Sequence, residues 1–460
     1  MSIRAPLGAA PESGAFELGA RPLRSRERSS RTRAAQLGLL GLVVAGVVIT
    51  VAAAHTDSLL PESVRPIPGW LAGPFGATGF GLGVAPLIAL LTLMFGCYAV
   101  VANTADRLSG RTVLMAIAAL HALVLLAPPL LSTDVFSYQA YARMGDLYSI
   151  NPFVHGPQTI ALDPVYPFVG AKWVTMPTAY GPVFTLLSYL LAPLSIAASV
   201  LTYKAIAAVA SLALVAFTWN AARLRGLDPV RSAALVGLNP LVVLYGVGGA
   251  HNDLLMLAAV SAGISLLLQH RSRAGGGSML LATGIKLTAI LPLAFALAGA
   301  DEHRRRRDIL TGAAAGAILL LALGFGAFGS GPLHIIATVS KGQAEGDWHS
   351  IPGFITTRLG LGDVGHITAF VLAAVFAVTL LWLLRRVWRR ELDWIDGAGW
   401  ATVALLITAS ALLPWYVAWL IPLAALASDH RLWRTAIVMT GIVQLIQVLG
   451  YIPHGSLPGL

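Results

Sequence analysis

Long apolar runs separated by short polar or charged stretches dominate the hydrophobic pattern of this chain of 460 residues. Runs of about 17 to 25 residues are long enough to cross the hydrocarbon core of a bilayer as a helix. The pattern places such runs near 37–54, 82–102, 112–131, 203–222, 233–250, 253–270, 309–328, 367–386, 398–413, 415–428 and 434–451. We therefore expect an all-α polytopic membrane protein with 11–13 transmembrane helices.

Two further apolar segments are interrupted, and the basic residues indicate how they lie. Residues 182–200 are broken at Pro193, and residues 275–300 carry Lys286. Arginine clusters of membrane proteins gather on the cytoplasmic side. All basic clusters of this chain share one side if 182–200 is an interfacial helix that does not cross. The segment 275–300 must then be a re-entrant pair of half-helices that meet near 283–286.

The first 34 residues are polar and rich in arginine. They predict a disordered cytoplasmic tail over 1–34, followed by a single transmembrane domain over 35–460. The tail is a topology signal or a segment that binds anionic lipid. The same charge argument places two long loops, 132–181 and 329–366, outside the plasma membrane. Both loops are rich in aromatic residues, proline and glycine, which favours structured, functional loops over disorder.

Composition excludes several classes of protein. The hydrophobic fraction is 57% and the charged fraction 11%, too apolar for a soluble enzyme of this length. The single cysteine, Cys97, excludes an intrachain disulfide and a cysteine-based zinc site. No glycine pattern of a Rossmann or Walker phosphate loop is present. We therefore expect neither a nucleotide nor a nucleic acid as partner.

The densest polar signal follows the third predicted span, where the chain reads Asp134-Val135-Phe136-Ser137-Tyr138. A carboxylate at the outer membrane boundary is partly desolvated, and desolvation raises its basicity. A basic carboxylate suits general-base catalysis on a sugar hydroxyl. An aspartate at a helix start is also a common N-cap. Both interpretations of Asp134 stay open on the sequence alone.

The first long loop carries further candidates at Asn151 and Tyr180, which lie among proline and aromatic residues. Rigid aromatic loop walls suit sugar rings. Tyr and Trp also gather at the bilayer interface for purely physical reasons. The second interpretation applies with equal force to Trp173 and Tyr180.

Two polar features stand where apolar residues are expected. His251-Asn252-Asp253 opens a predicted span, and three adjacent polar side chains there are costly unless they are paired or used. Lys286 is the one ionisable residue in the middle of an apolar segment. An intramembrane lysine indicates a functional site, and its ammonium could hold a lipid phosphate. Snorkelling to the interface is the alternative.

Aromatic and histidine residues near the outer side complete the candidates. They suggest a lid or a lipid groove, and they are Trp348, His349, Trp415 and Tyr416. His251 and His349 could join Asp134 around a divalent cation, but their spacing gives no support. We therefore predict no metal ligands and no cofactor.

Several of these motifs together resemble the GT-C membrane glycosyltransferases. They are the acidic residue after a span in Asp134–Tyr138, the segment Asn151–Phe153 and the segment Gly249–Asp253. Within that superfamily they are most similar to the actinobacterial polyprenyl-phosphate-mannose-dependent α-1,6-mannosyltransferases of lipomannan and lipoarabinomannan assembly, of the mannopyranosyltransferase A and B type. The resemblance covers about 110–455.

The resemblance implies a GT-C fold and an inverting transfer of mannose from polyprenyl-phosphate-mannose to a glycolipid or mannan acceptor, at the outer face of the membrane. Asp134 would be the catalytic base. The family commonly has a second acidic residue near the first external loop, here Asp146 or Asp163. Candidates for binding the donor phosphate or lipid are Lys286, His251, Arg143 and Tyr138. Candidates for binding the substrates are Asn151, Tyr180, Asn252, Asp253, Trp348, His349, Trp415 and Tyr416.

A transporter or lipid flippase is the alternative function, because broken helices with an intramembrane charge are also transporter features. A membrane-embedded lipid-binding scaffold is a third. The chain lacks an evident internal repeat, which argues against a transporter. Convergence of Asp134, His251 and Lys286 at one outer cavity would favour the enzyme.

Overall fold

The computed structural model describes residues 21–345 and 349–450. Within these ranges the chain forms α-helices joined by loops and short 3-10 turns, without β-strands. The α-helices are α1 (Arg21–Ala52), α2 (Val84–Thr104), α3 (Gly110–Leu126), α4 (Asp134–Asp146), α5 (Pro182–Tyr189), α6 (Ile196–Leu224), α7 (Pro229–Gly237), α8 (Asp253–Leu268), α9 (Ser272–Thr283), α10 (Ile290–Ala298), α11 (His303–Phe328), α12 (Ile335–Glu345), α13 (Ile351–Thr357), α14 (Gly362–Trp388), α15 (Trp394–Thr408), α16 (Ile421–Leu426) and α17 (His430–Gly450).

The helix lengths confirm an all-α polytopic membrane protein but not the number of full crossings. Five described helices are long and apolar enough to span a bilayer, and a sixth results if α7 and the π-helical segment 241–247, bent by 49°, form one span. Five further apolar helices have only 10–17 residues. Prolines explain part of the difference, since Pro240 and Pro422 lie where the backbone begins a new helix.

The first helix extends into the predicted tail. Helix α1 begins at Arg21, so residues 21–34 are helical and the prediction of disorder is wrong for that part. Arginine has a high helix propensity, and Pro22 is tolerated in a first turn, which lets the apolar helix continue towards its N-terminus. Residues 1–20 lie outside the described residues.

The two interrupted segments break where the sequence predicts. Helix α5 has eight residues, too short to span, and α6 begins after the break around Pro193. The segment 275–300 forms α9 and α10, which are separated at Gly284–Lys286.

Both ends of the α9–α10 pair lie at the start of α11. Arg273 Nε, in the first turn of α9, donates to Asp308 at 2.8 Å. Arg306 donates to the carbonyl of Ala300, just after α10, at 2.9 Å. The chain therefore enters and leaves this segment on the same side of the helix bundle, as the charge argument requires.

The basic clusters of separate connections meet at one end of the bundle. Arg225, after α6, forms an ion pair with Asp393 at 3.1 Å. Arg390, after α14, donates to the carbonyl of Ala300 at 2.9 Å. This grouping is the one-sided distribution of positive charge that the positive-inside rule describes.

Helix α8 runs from the polar residues at its N-terminus to this basic end of the bundle. Asp253 is its first residue, and Leu267, near its last turn, accepts a hydrogen bond from Arg305 at 3.2 Å. The cluster around Asp253 therefore lies a full helix length away from the basic end.

Cysteine labelling tests which end faces the outside. In a Cys97→Ser background, Leu333→Cys should react with an impermeant thiol reagent in intact cells, whereas His303→Cys should react only after permeabilisation. Both positions are exposed, so reagent access depends on the side of the membrane. Labelling of His303→Cys in intact cells would contradict the orientation inferred from the arginines.

Candidate active site

The linker between α3 and α4 positions Asp134, and backbone hydrogen bonds from two of its residues hold it in place. Leu130 N–H donates to the carbonyl of Gly248 at 3.0 Å, and Leu131 N–H donates to that of Leu59 at 2.9 Å. Leu131 adopts φ of 60°, a left-handed conformation that is uncommon for a leucine. These contacts hold the backbone immediately before Asp134.

A buried lysine fixes the same linker from a third side. Lys204 of α6 is 1% exposed and donates to the carbonyls of Ala127 and, at 3.0 Å, Pro128. Lys204 is not among the candidate residues that the sequence analysis names. A lone lysine in an apolar run was the available signal, since buried lysines need partners.

Asp134 is the first residue of α4. Its carboxylate points away from the helix backbone, towards other side chains. The N-cap is Thr133, whose side chain makes no capping hydrogen bond, and the N–H of Asp134 itself donates to Ser132 Oγ at 3.2 Å. Tyr180 Oη donates to Asp134 Oδ2 at 3.1 Å, and His251 Nδ1 lies 3.4 Å from the same oxygen. The N-cap interpretation of Asp134 is therefore wrong in this structure, which leaves the carboxylate directed at a side-chain cluster.

The pKa of Asp134 combines the predicted effect of burial with the opposite effect of its partners. Burial alone raises the pKa of this carboxyl, but its contact with His251, the charges of His251 and Lys286 and the Tyr180 hydrogen bond together hold the pKa below its ordinary value. Asp134 is consequently ionised at neutral pH, the protonation state that a general base requires.

His251 and Asp253 approach the same point from the start of α8. The His251 ring is 1% exposed and stacks on Trp415 with centroids 4.0 Å apart. Asp253 Oδ1 accepts hydrogen bonds from Lys286 Nζ at 2.8 Å and from Trp419 Nε1 at 2.5 Å. His251 Nδ1 lies 4.0 Å from the other oxygen of Asp253. The two carboxylates therefore flank one histidine.

Lys286 lies in the break between α9 and α10. Its backbone is extended, so it belongs to neither helix. Its ammonium is paired with Asp253 and lies 4.7 Å from the ring centre of Tyr416 and 5.2 Å from that of Trp419. Carboxylate and aromatic faces together stabilise a cation in a poorly hydrated place. The pairing with Asp253 shows that Lys286 does not simply snorkel.

Gly181 joins the first long loop to this break. Its N–H donates to the carbonyl of Ile285 at 3.0 Å. A Cβ at Gly181 would lie 2.2 Å from the carbonyl oxygen of Gly284, so no larger residue fits without a shift of the backbone. Tyr180 and Lys286 are thereby fixed relative to each other.

A cavity of about 370 Å³ opens at this cluster. Its polar lining includes Asp134, Tyr180, Lys286 and Tyr416. Its apolar lining comes from α10, α14 and α15 and includes Ile290, Leu291, Phe376, Leu380 and Leu405. The cavity thus joins a cation and a carboxylate to an apolar groove between helices.

Comparison with known proteins places this chain in a family. Residues 35–300 match the family model described as alpha-(1->6)-mannopyranosyltransferase, N-terminal domain, and residues 349–456 match that of the MptB C-terminal domain. The chain belongs to the alpha-(1->6)-mannopyranosyltransferase family. The family and the glycosyltransferase class predicted from the sequence are confirmed at this level.

Named members of the family are similar over most of this chain. Alpha-(1->6)-mannopyranosyltransferase A of Mycobacterium tuberculosis is 28% identical over 72% of this chain and 68% of its own length. A probable alpha-(1->6)-mannopyranosyltransferase of Mycolicibacterium smegmatis is 28% identical over 70% and 66%. Alpha-(1->6)-mannopyranosyltransferase B of Corynebacterium glutamicum is 29% identical over 66% and 57%. The matched region thus spans about two thirds or less of these relatives. No solved structure matches the chain.

In this mannopyranosyltransferase family member Arg143 lies in a separate ion pair. Its Nε donates to both oxygens of Asp163 at 2.9 Å, and its Nη1 donates to the carbonyl of Ala192 at 3.0 Å. Tyr148 also donates to Asp163. The structure therefore brings neither Arg143 nor Asp163 into the cluster. The second carboxylate beside Asp134 is Asp253, which comes from another helix.

Tyr138 and Asn252, predicted to bind the donor and the substrate respectively, lie within the cluster. Asn252 N–H donates to Tyr138 Oη at 3.4 Å, and the ring of Tyr138 packs edge-on against Tyr180 with centroids 4.8 Å apart. Tyr138 thus packs against Tyr180, which binds Asp134, and Asn252 contacts Tyr138. Trp415 and Tyr416 also belong here, through His251 and Lys286 respectively.

The remaining predicted residues are placed differently. Asn151 donates to the carbonyl of Phe328 at 2.8 Å and accepts from Phe153 N–H at 3.0 Å, so it fixes the loop against the end of α11 and does not reach the cluster. His349 lines a second cavity beside Asp134. Trp348 lies outside the described residues.

No three His, Cys, Asp or Glu side chains in the described ranges lie close enough together to hold a metal ion. The cation that the structure shows beside Asp253 is the Lys286 ammonium, 2.8 Å from Asp253 Oδ1.

Proposed function

We propose that this protein transfers a mannosyl residue from polyprenyl-phosphate-mannose to a hydroxyl of a mannan or glycolipid acceptor. The product is an α-1,6 linkage made at the outer face of the plasma membrane, with inversion at the anomeric carbon. The observation that carries the proposal is the shared cavity of Asp134 and Lys286, which continues along apolar helices. A base, a cation and a lipid groove are the three parts that this transfer needs.

The reaction is a single displacement. Asp134 accepts the proton of the acceptor hydroxyl, whose oxygen forms the new bond to the anomeric carbon. The bond between that carbon and the phosphate oxygen breaks, and its electron pair leaves with polyprenyl phosphate. A β-linked donor thereby yields an α-linked product. The ionised state of Asp134, favoured by His251 and Lys286, suits this role.

Lys286 is the group that meets the leaving phosphate. An ammonium has three donors, and one is used by Asp253. The side chain is 14% exposed and lines the cavity, so its other donors are available to phosphate oxygens. Charge-assisted hydrogen bonds to phosphate stabilise the negative charge that develops as the bond breaks. Asp253 and Trp419 hold the lysine in place through the shared carboxylate.

The apolar lining explains why the reaction belongs in a membrane protein. Side chains of α10, α14 and α15, including Leu291, Phe376 and Leu405, border the same cavity as Lys286. A polyprenyl chain that binds there removes apolar surface from water, and each Å² buried contributes about 25 cal/mol to the free energy of binding. The donor can then bind from the lipid phase with its phosphate at Lys286.

The arrangement supports an enzyme over a transporter or lipid flippase. Asp134, His251 and Lys286 converge within one cluster at one end of α8, which is the arrangement that discriminates between the two functions. A transporter site lies near the bilayer midplane between symmetric halves.

A transfer assay tests the proposal. Purified protein in proteoliposomes should move radiolabelled mannose from polyprenyl-phosphate-mannose to a short α-1,6-oligomannoside, and an α-1,6-specific mannosidase should release the label. GDP-mannose should not replace the lipid donor, because the cavity pairs its cation with an apolar groove. Transbilayer movement of the donor without transfer would contradict the proposal and support a flippase.

A further inference from the structure

A second cavity, of about 280 Å³, also reaches Asp134. It shares Asp134, Trp173 and Leu413 with the first cavity, but Lys286 does not line it. Its further wall comes from residues 58–65, in the connection between α1 and α2, a segment that the sequence interpretation did not single out. The Asp134 carboxylate therefore stands where two differently built cavities meet.

We infer that the second cavity binds the terminal sugar of the acceptor glycan, a neutral hexose, with its attacking hydroxyl at Asp134 and with Glu62 and Arg65 as hydrogen-bonding partners of its other hydroxyls. This inference rests on the proposed function. It assigns the glycan end of the acceptor to one cavity and the donor to the other.

The charged side chains of this cavity suit a ligand rich in hydroxyls. Arg65 is held by its Nε and Nη2, which donate to the carbonyl of Leu60 at 3.1 and 2.7 Å. Its Nη1 makes no hydrogen bond within residues 21–345 and 349–450, and neither does the carboxylate of Glu62. A carboxylate accepts from sugar hydroxyls and a guanidinium donates to them. The two groups together match the mixed donor and acceptor character of a hexose.

The rest of the lining favours a sugar over a lipid tail. Trp173 and Trp415 both border the cavity, and indole faces pack against the apolar faces of sugar rings. Ser58, Ser132 and Thr133 add hydroxyls to the wall. Pockets that combine aromatic faces with a few placed polar groups are typical of small polar ligands.

The wall of the second cavity is tied to the residues around Asp134. Leu59 accepts a hydrogen bond from Leu131 N–H at 2.9 Å, and Ser63 Oγ donates to the carbonyl of Phe168 at 2.6 Å. Phe168 in turn stacks on Phe136 of α4 with centroids 5.3 Å apart. A sugar that contacts residues 58–65 is therefore positioned relative to the helix that carries Asp134.

Two separate cavities also suit the geometry of inversion. In a single displacement the nucleophile approaches the anomeric carbon opposite the leaving group. A donor whose phosphate lies at Lys286 and an acceptor that enters through the Glu62 side can meet at Asp134 without competing for the same space.

Initial rates with Glu62→Gln and Arg65→Gln test the assignment. With a short α-1,6-oligomannoside as acceptor, the acceptor KM should rise about ten- to a hundredfold, as expected for loss of a charged hydrogen bond. The donor KM should stay within about twofold, because neither residue lines the donor cavity. Glu302→Gln and Arg271→Gln, exposed residues at the basic end, are the matched controls and should leave both constants unchanged.

Calorimetric titration of the purified protein with the oligomannoside separates this inference from the proposed function. Binding should be weakened in Glu62→Gln and retained in Glu302→Gln. If the wild type transfers mannose while Glu62→Gln and Arg65→Gln keep its acceptor KM, the inference is wrong and the proposed function stands. If the wild type transfers no mannose, the proposed function fails. If the oligomannoside then also binds to Glu62→Gln as well as it binds to the wild type, the inferred sugar site is wrong too.

Discussion

Asp134→Asn is expected to reduce mannosyl transfer by about 10²- to 10⁴-fold, the contribution typical of a general base. The amide has the size of the carboxylate, and its oxygen can still accept the hydrogen bond from Tyr180. It carries no negative charge and cannot take the proton of the acceptor hydroxyl. Initial rates at saturating donor and acceptor measure the loss, and thermal unfolding of the purified protein measures whether the fold is kept.

The matched control is Asp146→Asn, at the other end of α4. Asp146 is exposed and was an alternative for a second acidic role. It should retain activity within about twofold of the wild type, since it lines neither cavity. Activity of Asp134→Asn within about tenfold of the wild type would remove the catalytic role and leave Asp134 as a partner of His251.

The sequence identifies the residues of this cluster better than their partners. Asp134, His251 and Lys286 stand out because ionisable side chains in apolar surroundings are costly without a use. Which of these side chains form pairs cannot be deduced in the same way. Asp253 holds Lys286 across 33 positions of sequence, and hydrophobic periodicity does not encode such a contact. The same gap explains why the sequence analysis names no protein partner for Lys286.

Arg143 and Asn151 show why proximity along the chain misleads. Both lie in the predicted outer loop 132–181, Arg143 within α4 and Asn151 after it, yet one binds Asp163 and the other binds the end of α11. The partner of such a side chain depends on tertiary contacts with residues far away in sequence. Helices, by contrast, follow from local pattern, and breaks such as that before Lys286 are visible as polar or glycine interruptions.

The segment 58–65 was missed for a related reason. It forms short 3-10 turns, which have no hydrophobic period, and it lies between two predicted spans where a connection was expected. Only the three-dimensional structure places Glu62 and Arg65 beside Asp134 in one cavity. A backbone hydrogen bond, from Leu131 N–H to the carbonyl of Leu59, links this segment to the linker before Asp134.

Lys286→Met is expected to reduce donor turnover about ten- to more than a hundredfold, which corresponds to the loss of a charge-assisted hydrogen bond to phosphate of roughly 1.5–3 kcal/mol. Methionine keeps the apolar length of the stem. It removes the ammonium that faces the phosphate and also the partner of Asp253. Leaving a buried carboxylate without its partner destabilises a protein by about 3–5 kcal/mol, so the single variant loses stability as well as activity.

The double variant Lys286→Met with Asp253→Asn separates the two effects. It removes both charges, so thermal unfolding should return towards that of the wild type. Donor kinetics should stay impaired, because the phosphate has still lost its cation. Lys341→Met, an exposed lysine of α12 that lines neither cavity, is the control for removing a positive charge elsewhere in the chain.

The kinetic constant that changes identifies what Lys286 binds. Kinetics with varied donor should show the defect, while the acceptor KM should stay within about twofold, because Lys286 lines only the first cavity. Restored donor kinetics in the double variant would show that Lys286 acts only as the partner of Asp253. A defect confined to the acceptor KM would indicate that the donor phosphate binds in the second cavity instead. Arg65 would then be the cation to substitute next.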